Sequence, residues 1–406
     1  MKTLNAYFDD ASFLDANHLR IQDNTYLDDF IFIENFLKAY SDNKTTFNAY
    51  RRELERLLQW CVHKQQKHIL DLNRADIEAF IKFCQKPPKS WVGFNQVPRF
   101  ISKDGERIPN PDWRPFVIKL KKSASNKNNL PDKSQYTLSQ GAIQALFAIL
   151  SSFYNFLIQE GHTQINPILH IRQKSKFIRK RQGIRPIRRL SELQWDYVIQ
   201  AATQMADEKP EQHERTLFIM STLYGMYLRI SELCTNEQWM PQMGHFYRDP
   251  HDNWWFKTVG KGNKERDITV SFSMLNALKR YRKFLGLTPL PSPGETTPLI
   301  PKLIGKGGVS DTRHIRHIVQ MCFDKGSMSL AKDKHTEEAE QLKSATVHWL
   351  RHTGISEDVK HRPREHVRDD AGHSSSAITD RYIDVELLER HQSGKKKQII
   401  PENESD

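Results

Sequence analysis

The sequence predicts a mainly α-helical chain of two domains with a small β region. Three observations carry that prediction. At 406 residues the chain exceeds what one hydrophobic core usually organises. Successive segments repeat their apolar residues near a 3.6-residue period. One stretch reads as two short strands around a glycine-rich turn.

Taken in chain order, the helices are readable from stripe and cap. TYLDDFIFIENFLKAY, from Thr25, spaces Leu27, Phe30, Ile31, Ile33, Phe36 and Leu37 on one face, and TTFNAYRRELERLLQWCV does the same with Tyr50, Leu54, Leu57, Leu58 and Cys61. NRADIEAFIKFC opens with Asn73 as an N-cap, and LSQGAIQALFAILSSFYNFLIQEG closes at Gly161, where a left-handed C-cap fits. Between these last two lie residues 86–133, with seven prolines, Trp91, Trp113 and clusters of Lys and Asn; this is too long for an ordinary connection and reads as an insertion. Further on, SELQWDYVIQAAT and ERTLFIMSTLYGMYLRISELC read as helices. NWWFKTVG and RDITVSF form the hairpin, and LTPLPSPGETTPLIP is a loop. DTRHIRHIVQMCF and KSATVHWLRHTGISEDV are helical again. The domains so predicted are an extension over 1–24, a helical domain over 25–168, a basic linker over 169–190, a second domain over 191–392 and a tail over 393–406.

A hydrophobic fraction of 38%, with 21 Phe, 12 Tyr and 8 Trp, supplies real cores and excludes disorder throughout. Lys and Arg exceed Asp and Glu by 61 to 49, a formal charge of +12 that suits a polyanionic partner. Cys61, Cys84, Cys234 and Cys322 lie far apart without CxxC spacing and read as reduced, buried thiols. The start, MKTLNAYFDDASFLD, is no basic segment followed by an apolar run, and no stretch of about 18 apolar residues is visible, so a soluble, cytoplasmic protein is expected.

The charge is most polarised over Ile171–Leu190. IRQKSKFIRKRQGIRPIRRL carries Arg172, Lys174, Lys176, Arg179, Lys180, Arg181, Arg185, Arg188 and Arg189, and no acidic residue. Charges this dense repel one another unless a polyanion lies across them. A linker laid on DNA is one reading; a solvated linker or a localisation signal is the other.

Four short elements could carry chemistry. In YLRISEL, Arg229 ends an apolar helix, where Glu232 three residues on could simply pair with it. In VGKGNKERDITV, Lys261 stands between two glycines at the hairpin tip. HWLRHT sets His348 and Arg351 at a spacing that lets an imidazole and a guanidinium converge on one anion. His348 and His352 also stand four apart, as zinc ligands do, but Trp349 occupies the place of the HExxH glutamate and no third ligand is evident, so neither a metal nor a cofactor is expected. Last comes AGHSSSAITDRYID, with His373 and Tyr382. A tyrosine hydroxyl, with a pKa near 10, is a weak nucleophile that its surroundings would have to activate.

Together and in this order, LRISEL, GKGNKER, HWLRHT and GHSSSAITDRY resemble the active-site motifs of the tyrosine recombinase, or phage integrase, family. The likeness covers about Pro186–His391 strongly and the helical region, through NKTTFNAYRRELERLLQW, more loosely. It implies a helical, SAM-like core-binding domain followed by a mixed α/β catalytic domain, the two closing as a C-shaped clamp on one duplex. It further implies that Tyr382 is the nucleophile, that Arg229 and Arg351 clamp the scissile phosphate, that Lys261 protonates the leaving 5′ hydroxyl, and that His348 and His373 assist. Such chemistry would make and reseal a 3′-phosphotyrosyl bond in site-specific recombination, with a tetramer on synapsed DNA and an accessory directionality protein as partners. Type IB topoisomerase activity and a silent DNA-binding regulator are the alternatives. Three departures stand out: Ala371 replaces the usual Leu before Gly-His, Trp349 replaces the common Asp or Glu before Leu-Arg-His, and Arg362–Arg368 is crowded with charge where the family shows a more apolar helix pair, which leaves open how His373 is braced.

Overall fold

The computed structural model describes residues 4–16, 24–118, 132–174, 188–260, 262–380, 382 and 394–395. The chain divides into two compact units, Met1–Gln182 and Gly183–Asp406, each with its own apolar core.

In the first unit, helices α1 (Leu27–Lys38) and α2 (Lys44–Trp60) turn Phe30, Ile33, Phe36, Leu54, Leu57 and Leu58 inward, as their stripes require. The Asn43 side chain caps α2 by accepting from the Thr46 amide at 3.1 Å. Helix α3 (Arg74–Gln85) opens on a full capping box between Asn73 and Asp76, so the predicted cap is found. Strands β1 (Val92–Gly93), β2 (Phe100–Lys103), β3 (Glu106–Pro109) and β4 (Phe116–Val117) follow; β1 pairs with β4 in parallel and β2 with β3 in a hairpin. Asp104 and Gly105 both hold positive φ at its tip, as a tight two-residue turn demands. Helix α4 (Gln140–Gln159) ends as predicted with Gly161 left-handed at φ 78°. By length and composition α4 is apolar enough to cross a membrane, which sequence inspection missed; Ile143, Leu146, Phe147, Leu150 and Phe153 are buried in the core of this unit. Helix α5 (Pro167–Lys174) buries Ile168 and Ile171 there too, so the stretch predicted to begin a linker is first a packed helix.

The N-terminal extension and the 86–133 insertion both join this unit through α2. Glu55, 1% exposed, accepts from the backbone amides of Tyr7 at 2.6 Å and Phe8 at 3.1 Å, and pairs with Arg99 from the insertion. Arg107 of β3 reaches Asp9 at 2.8 Å, Arg51 reaches Asp10 at 2.9 Å, and Arg56 donates twice to the Pro115 carbonyl. Buried charges persist only when paired in this way. The paired arginines thus explain two acidic residues near the N-terminus that have no helical role.

The second unit opens with α6 (Glu192–Glu208), whose Ser191 and Gln194 form a capping box, and α7 (Pro210–Gly225), which starts on a proline. A three-stranded antiparallel sheet follows in the order β5 (Phe246–Arg248), β6 (Trp254–Val259), β7 (Glu265–Thr269). The predicted hairpin is β6–β7, and β5 is an addition. Then come α8 (Phe272–Phe284), α9 (Thr312–Lys332), α10 (Thr336–Leu342), α11 (Val347–Asp358), α12 (Arg364–Ala371) and α13 (Ser376–Asp380). The mainly helical class with a small sheet is therefore the one observed.

One helix differs from its prediction in a way that matters. The apolar run ERTLFIMSTLYGMYLRISELC is not continuous: α7 stops at Gly225, Tyr227 turns left-handed at φ 50°, Arg229 is extended, and Ile230–Glu232 forms a separate 3₁₀ turn. The break turns the chain out of the helix just before Arg229.

Candidate active site

Arg229 does pair with Glu232, Nη1 to Oε1 at 2.9 Å, but Glu232 serves more than that pair. Its two oxygens also accept from Arg266 of β7 at 2.9 and 2.8 Å, and Oε2 accepts from the Arg229 amide at 2.9 Å. Burial alone would raise the Glu232 pKa; hydrogen bonds and charge from Arg266, then Arg229, hold it below the ordinary value. Arg266 also donates from Nε to the Asp370 carbonyl at 2.9 Å. One carboxylate and one guanidinium thus tie the Arg229 turn and the sheet to the end of α12.

Arg351 enters from α11. It is 3% exposed and donates to the Tyr227 and Ala371 carbonyls, so the broken end of α7 and the end of α12 orient it. Its pKa falls to about 10, through burial first and the neighbouring Arg229 second, and it stays charged at neutral pH. Helix α11 approaches α7 closely because residue 354 is glycine; a Cβ there would stand 2.2 Å from the Tyr224 carbonyl oxygen.

The crowded charges of Arg362–Arg368 prove to be a brace. Arg362 donates to Asp358 at 2.8 Å and to Asp370 at 2.6 Å, Asp370 accepts from the Thr269 amide at 3.2 Å, and Val367 and Ala371 face inward. Gly372 caps α12 at φ 63°, and the His373 amide closes the turn on the Arg368 carbonyl at 3.1 Å. A Cβ at Gly372 would meet Arg266 Cδ at 2.8 Å, a second reason for glycine here.

Tyr382 is 6% exposed, within an apolar cluster of Tyr227, Ile355, Val367 and Ala371. Its ring stacks on His373 with centroids 5.6 Å apart and planes at 19°. Its hydroxyl lies 2.6 Å from Nδ1 of His352, whose ring meets the edge of His348 at 4.4 Å between centroids. Thr379 Oγ1 contacts His373 Nδ1 at 2.9 Å. Burial, then Arg351, Arg229 and Arg266, push His373 down to about 4. His348 is lowered as well, by desolvation of its ring and by Arg351 and Arg229. Both imidazoles are therefore neutral at neutral pH.

Arg229, Arg351, His373 and Tyr382 thus gather at one place, with His348 one helical turn along from His352. Lys261 lies outside the described residues; Gly260 before it stands against Arg229 and Arg266, a built Cβ falling 3.4 and 2.9 Å from their Nη1 atoms. Of the predicted DNA-contacting residues, Arg172 and Lys174 fall on α5, and Arg188 and Arg189 precede α6. Lys176, Arg179, Lys180, Arg181 and Arg185 lie outside the described residues. Sequence reasoning missed Arg266 and the contact made by His352. The signal for Arg266 was a strand arginine one residue after a glutamate; for His352 it was the residue adjoining Arg351. Chemically, three guanidiniums around one carboxylate leave net positive charge, which suits an anion beside a buried phenol.

No family model matches the chain. It is 30% identical over 177 residues to tyrosine recombinase XerD of Rickettsia bellii, covering 42% of this chain and 54% of that protein. To tyrosine recombinase XerC of Chlorobaculum parvum it is 23% identical over 234 residues, 55% of this chain and 61% of the relative. The chain thus spans little more than half the length of these two relatives. Among solved structures, the XerH site-specific recombinase bound to palindromic difH substrate, in a post-cleavage complex, aligns over 98% of this chain and 99% of that one, with a TM-score of 0.56 at 11% identity. That likeness is one of fold.

Proposed function

We propose that the chain is a tyrosine recombinase, as its likeness to XerD supports, and that it breaks and rejoins DNA site-specifically through a 3′-phosphotyrosyl intermediate, in the integration or excision of a mobile element. The observation that carries this reading is the position of Tyr382: a buried phenol held by two imidazoles, beside the gathered Arg229, Arg351 and Arg266.

In this reading the phosphate enters against Arg229 and Arg351, whose guanidiniums meet the oxygens as charge builds on phosphorus. Tyr382 Oη attacks, the bond from phosphorus to the 5′ oxygen breaks, and Lys261 supplies the proton that oxygen needs. The neutral His348 and His373 contact the phosphate and help to handle protons. Exchanging one phosphodiester for another leaves the energy nearly unchanged, so a second 5′ hydroxyl can reverse the step without an added energy source. Double-stranded DNA is the partner, with the basic segment 171–190 along its backbone, a second pair of copies completing a tetramer at synapsis, and an accessory protein setting direction.

Covalent capture tests the proposal. Wild-type protein and Tyr382→Phe are incubated with fragmented source DNA, denatured, and the protein-linked fragments sequenced. Adducts at one or a few related sites with wild type and none with the variant are expected. Adducts scattered without preference would indicate a topoisomerase. No wild-type adduct, with DNA binding retained, would indicate a regulator.

A further inference from the structure

We propose that His352, rather than His348, takes the proton from Tyr382 as the nucleophile attacks. The inference rests on the recombinase reading above and assigns a residue that the resemblance left without a role.

Geometry separates the three imidazoles near the phenol. His352 Nδ1 is 2.6 Å from the Tyr382 hydroxyl, within the range in which a proton moves without rearrangement. In the tautomer that carries its hydrogen on Nε2, this nitrogen offers its lone pair to the phenol. His373 instead stacks on the face of the same ring, 5.6 Å between centroids, with its own Nδ1 2.9 Å from Thr379. A stacked ring presents its π face rather than a lone pair. His348 stands four residues earlier on α11 and turns toward the ring of His352, at 4.4 Å and 77°.

The helix makes this placement durable. His352 adjoins Arg351, whose guanidinium is fixed by the Tyr227 and Ala371 carbonyls, and Gly354 two residues on lets α11 lie against the Tyr224 carbonyl. Base and phosphate clamp therefore share one rigid turn. His352 is half-buried beside Tyr382. A bound phosphodiester, and the charge added to it during attack, would put negative charge near the imidazolium as the proton arrives.

The step balances. The Tyr382 O–H bond breaks with its proton passing to His352 Nδ1; the Oη–phosphorus bond forms; the bond from phosphorus to the 5′ oxygen breaks, and that oxygen takes a proton from Lys261. On rejoining, His352 returns its proton to the departing phenolate. No oxidant, metal or further reactant is required by this accounting.

The test uses full-length protein and a nicked duplex bearing the captured site, with covalent adduct formation as the readout. His352→Ala is expected to slow adduct formation by about 100-fold or more, the usual weight of a positioned base. Added imidazole should recover a substantial part of the rate in His352→Ala, and should recover none in His348→Ala. A duplex whose scissile 5′ oxygen is replaced by sulfur, which leaves without a proton, should restore Lys261→Ala and leave the His352→Ala defect in place. His352→Asn, which keeps a polar group near the Nδ1 position, carries the test if the alanine variant does not fold. Rates within about threefold of wild type in both His352 variants overturn the assignment, as does rescue of His352→Ala by the sulfur substrate, which would place the residue on the leaving group. A wild-type protein that forms no adduct defeats the recombinase reading and this role with it, whereas a wild-type adduct with unimpaired His352 variants defeats this role alone.

Discussion

Arg266 grips Glu232 with both ends of its guanidinium, at 2.9 and 2.8 Å, where the carboxylate is 2% exposed. The same carboxylate orients Arg229, so a pair that looks structural sets the position of an arginine we propose to meet the phosphate. Glu232→Gln would remove the countercharge and leave Arg266, itself 10% exposed, without its ionic partner. Breaking such a buried pair costs about 3–5 kcal/mol. Urea denaturation of Glu232→Gln should show a loss of that order, with weakened DNA retention as Arg229 loosens. Arg266→Lys should fall short of wild type as well, since an ammonium cannot make the two-point contact. A midpoint unchanged in both variants would remove the link drawn between β7 and Arg229.

Tyr227 holds φ at 50°, a conformation that side chains with a Cβ adopt at a cost of about 1–2 kcal/mol. Its carbonyl receives Arg351, its hydroxyl meets Asp358, and its ring packs beside Tyr382. The strained turn is thus what brings two arginines to one place. Removing the ring destabilises the unit whichever small residue replaces it. Glycine, however, relieves the backbone where alanine does not, so Tyr227→Gly should be more stable than Tyr227→Ala by about 1 kcal/mol. Equal thermal midpoints for the two would show that the turn relaxes once the ring is gone.

Much of this was legible because it is local. The stripes of α1 and α2, the Asn73 cap, the Gly161 terminus and the β6–β7 hairpin each follow from residues within a few positions of one another. What escaped depends on distant partners. The run through Leu223, Met226 and Leu228 stays apolar across the end of α7, and nothing nearby marks Tyr227 as left-handed; the carbonyl it offers is used by Arg351, far along the chain. Asp9 and Asp10 make sense only once Arg107 and Arg51 stand beside them. In the HWLRHT motif, the residue types pointed to a bound anion. Which imidazole reaches the phenol is decided by the rotation of α11, which Gly354 fixes against α7.

The basic segment gives a prediction about salt. If Arg179, Lys180 and Arg181 each neutralise a phosphate, replacing all three with Ala lowers the slope of log affinity against log salt by roughly 0.9 per lost contact. Affinity for unrelated duplexes should fall in parallel with affinity for the captured site, because phosphate contacts position without reading sequence. Fluorescence anisotropy across a salt series measures both. A slope equal to that of wild type would return the segment to a solvated linker.

The depressed His373 sets a pH dependence whose sign can be worked out. Its pKa is about 4 in the folded chain, against an ordinary value near 6.5, because burial and then Arg351, Arg229 and Arg266 disfavour the imidazolium. Between these values the unfolded chain binds the extra proton, so this residue makes stability rise with pH across that window. Its contribution is fully present above about pH 6.5, and is lost as pH falls toward about 4. His348, also lowered, adds with the same sign. His373→Asn should flatten the profile of denaturation midpoint against pH over that range, although Thr379 loses its ring partner at every pH. A bound phosphate among the three arginines would reduce their effect and raise the His373 pKa, so nuclear magnetic resonance titration with a DNA duplex should move this histidine upward. A pKa that stays put when duplex binds would separate His373 from the phosphate site.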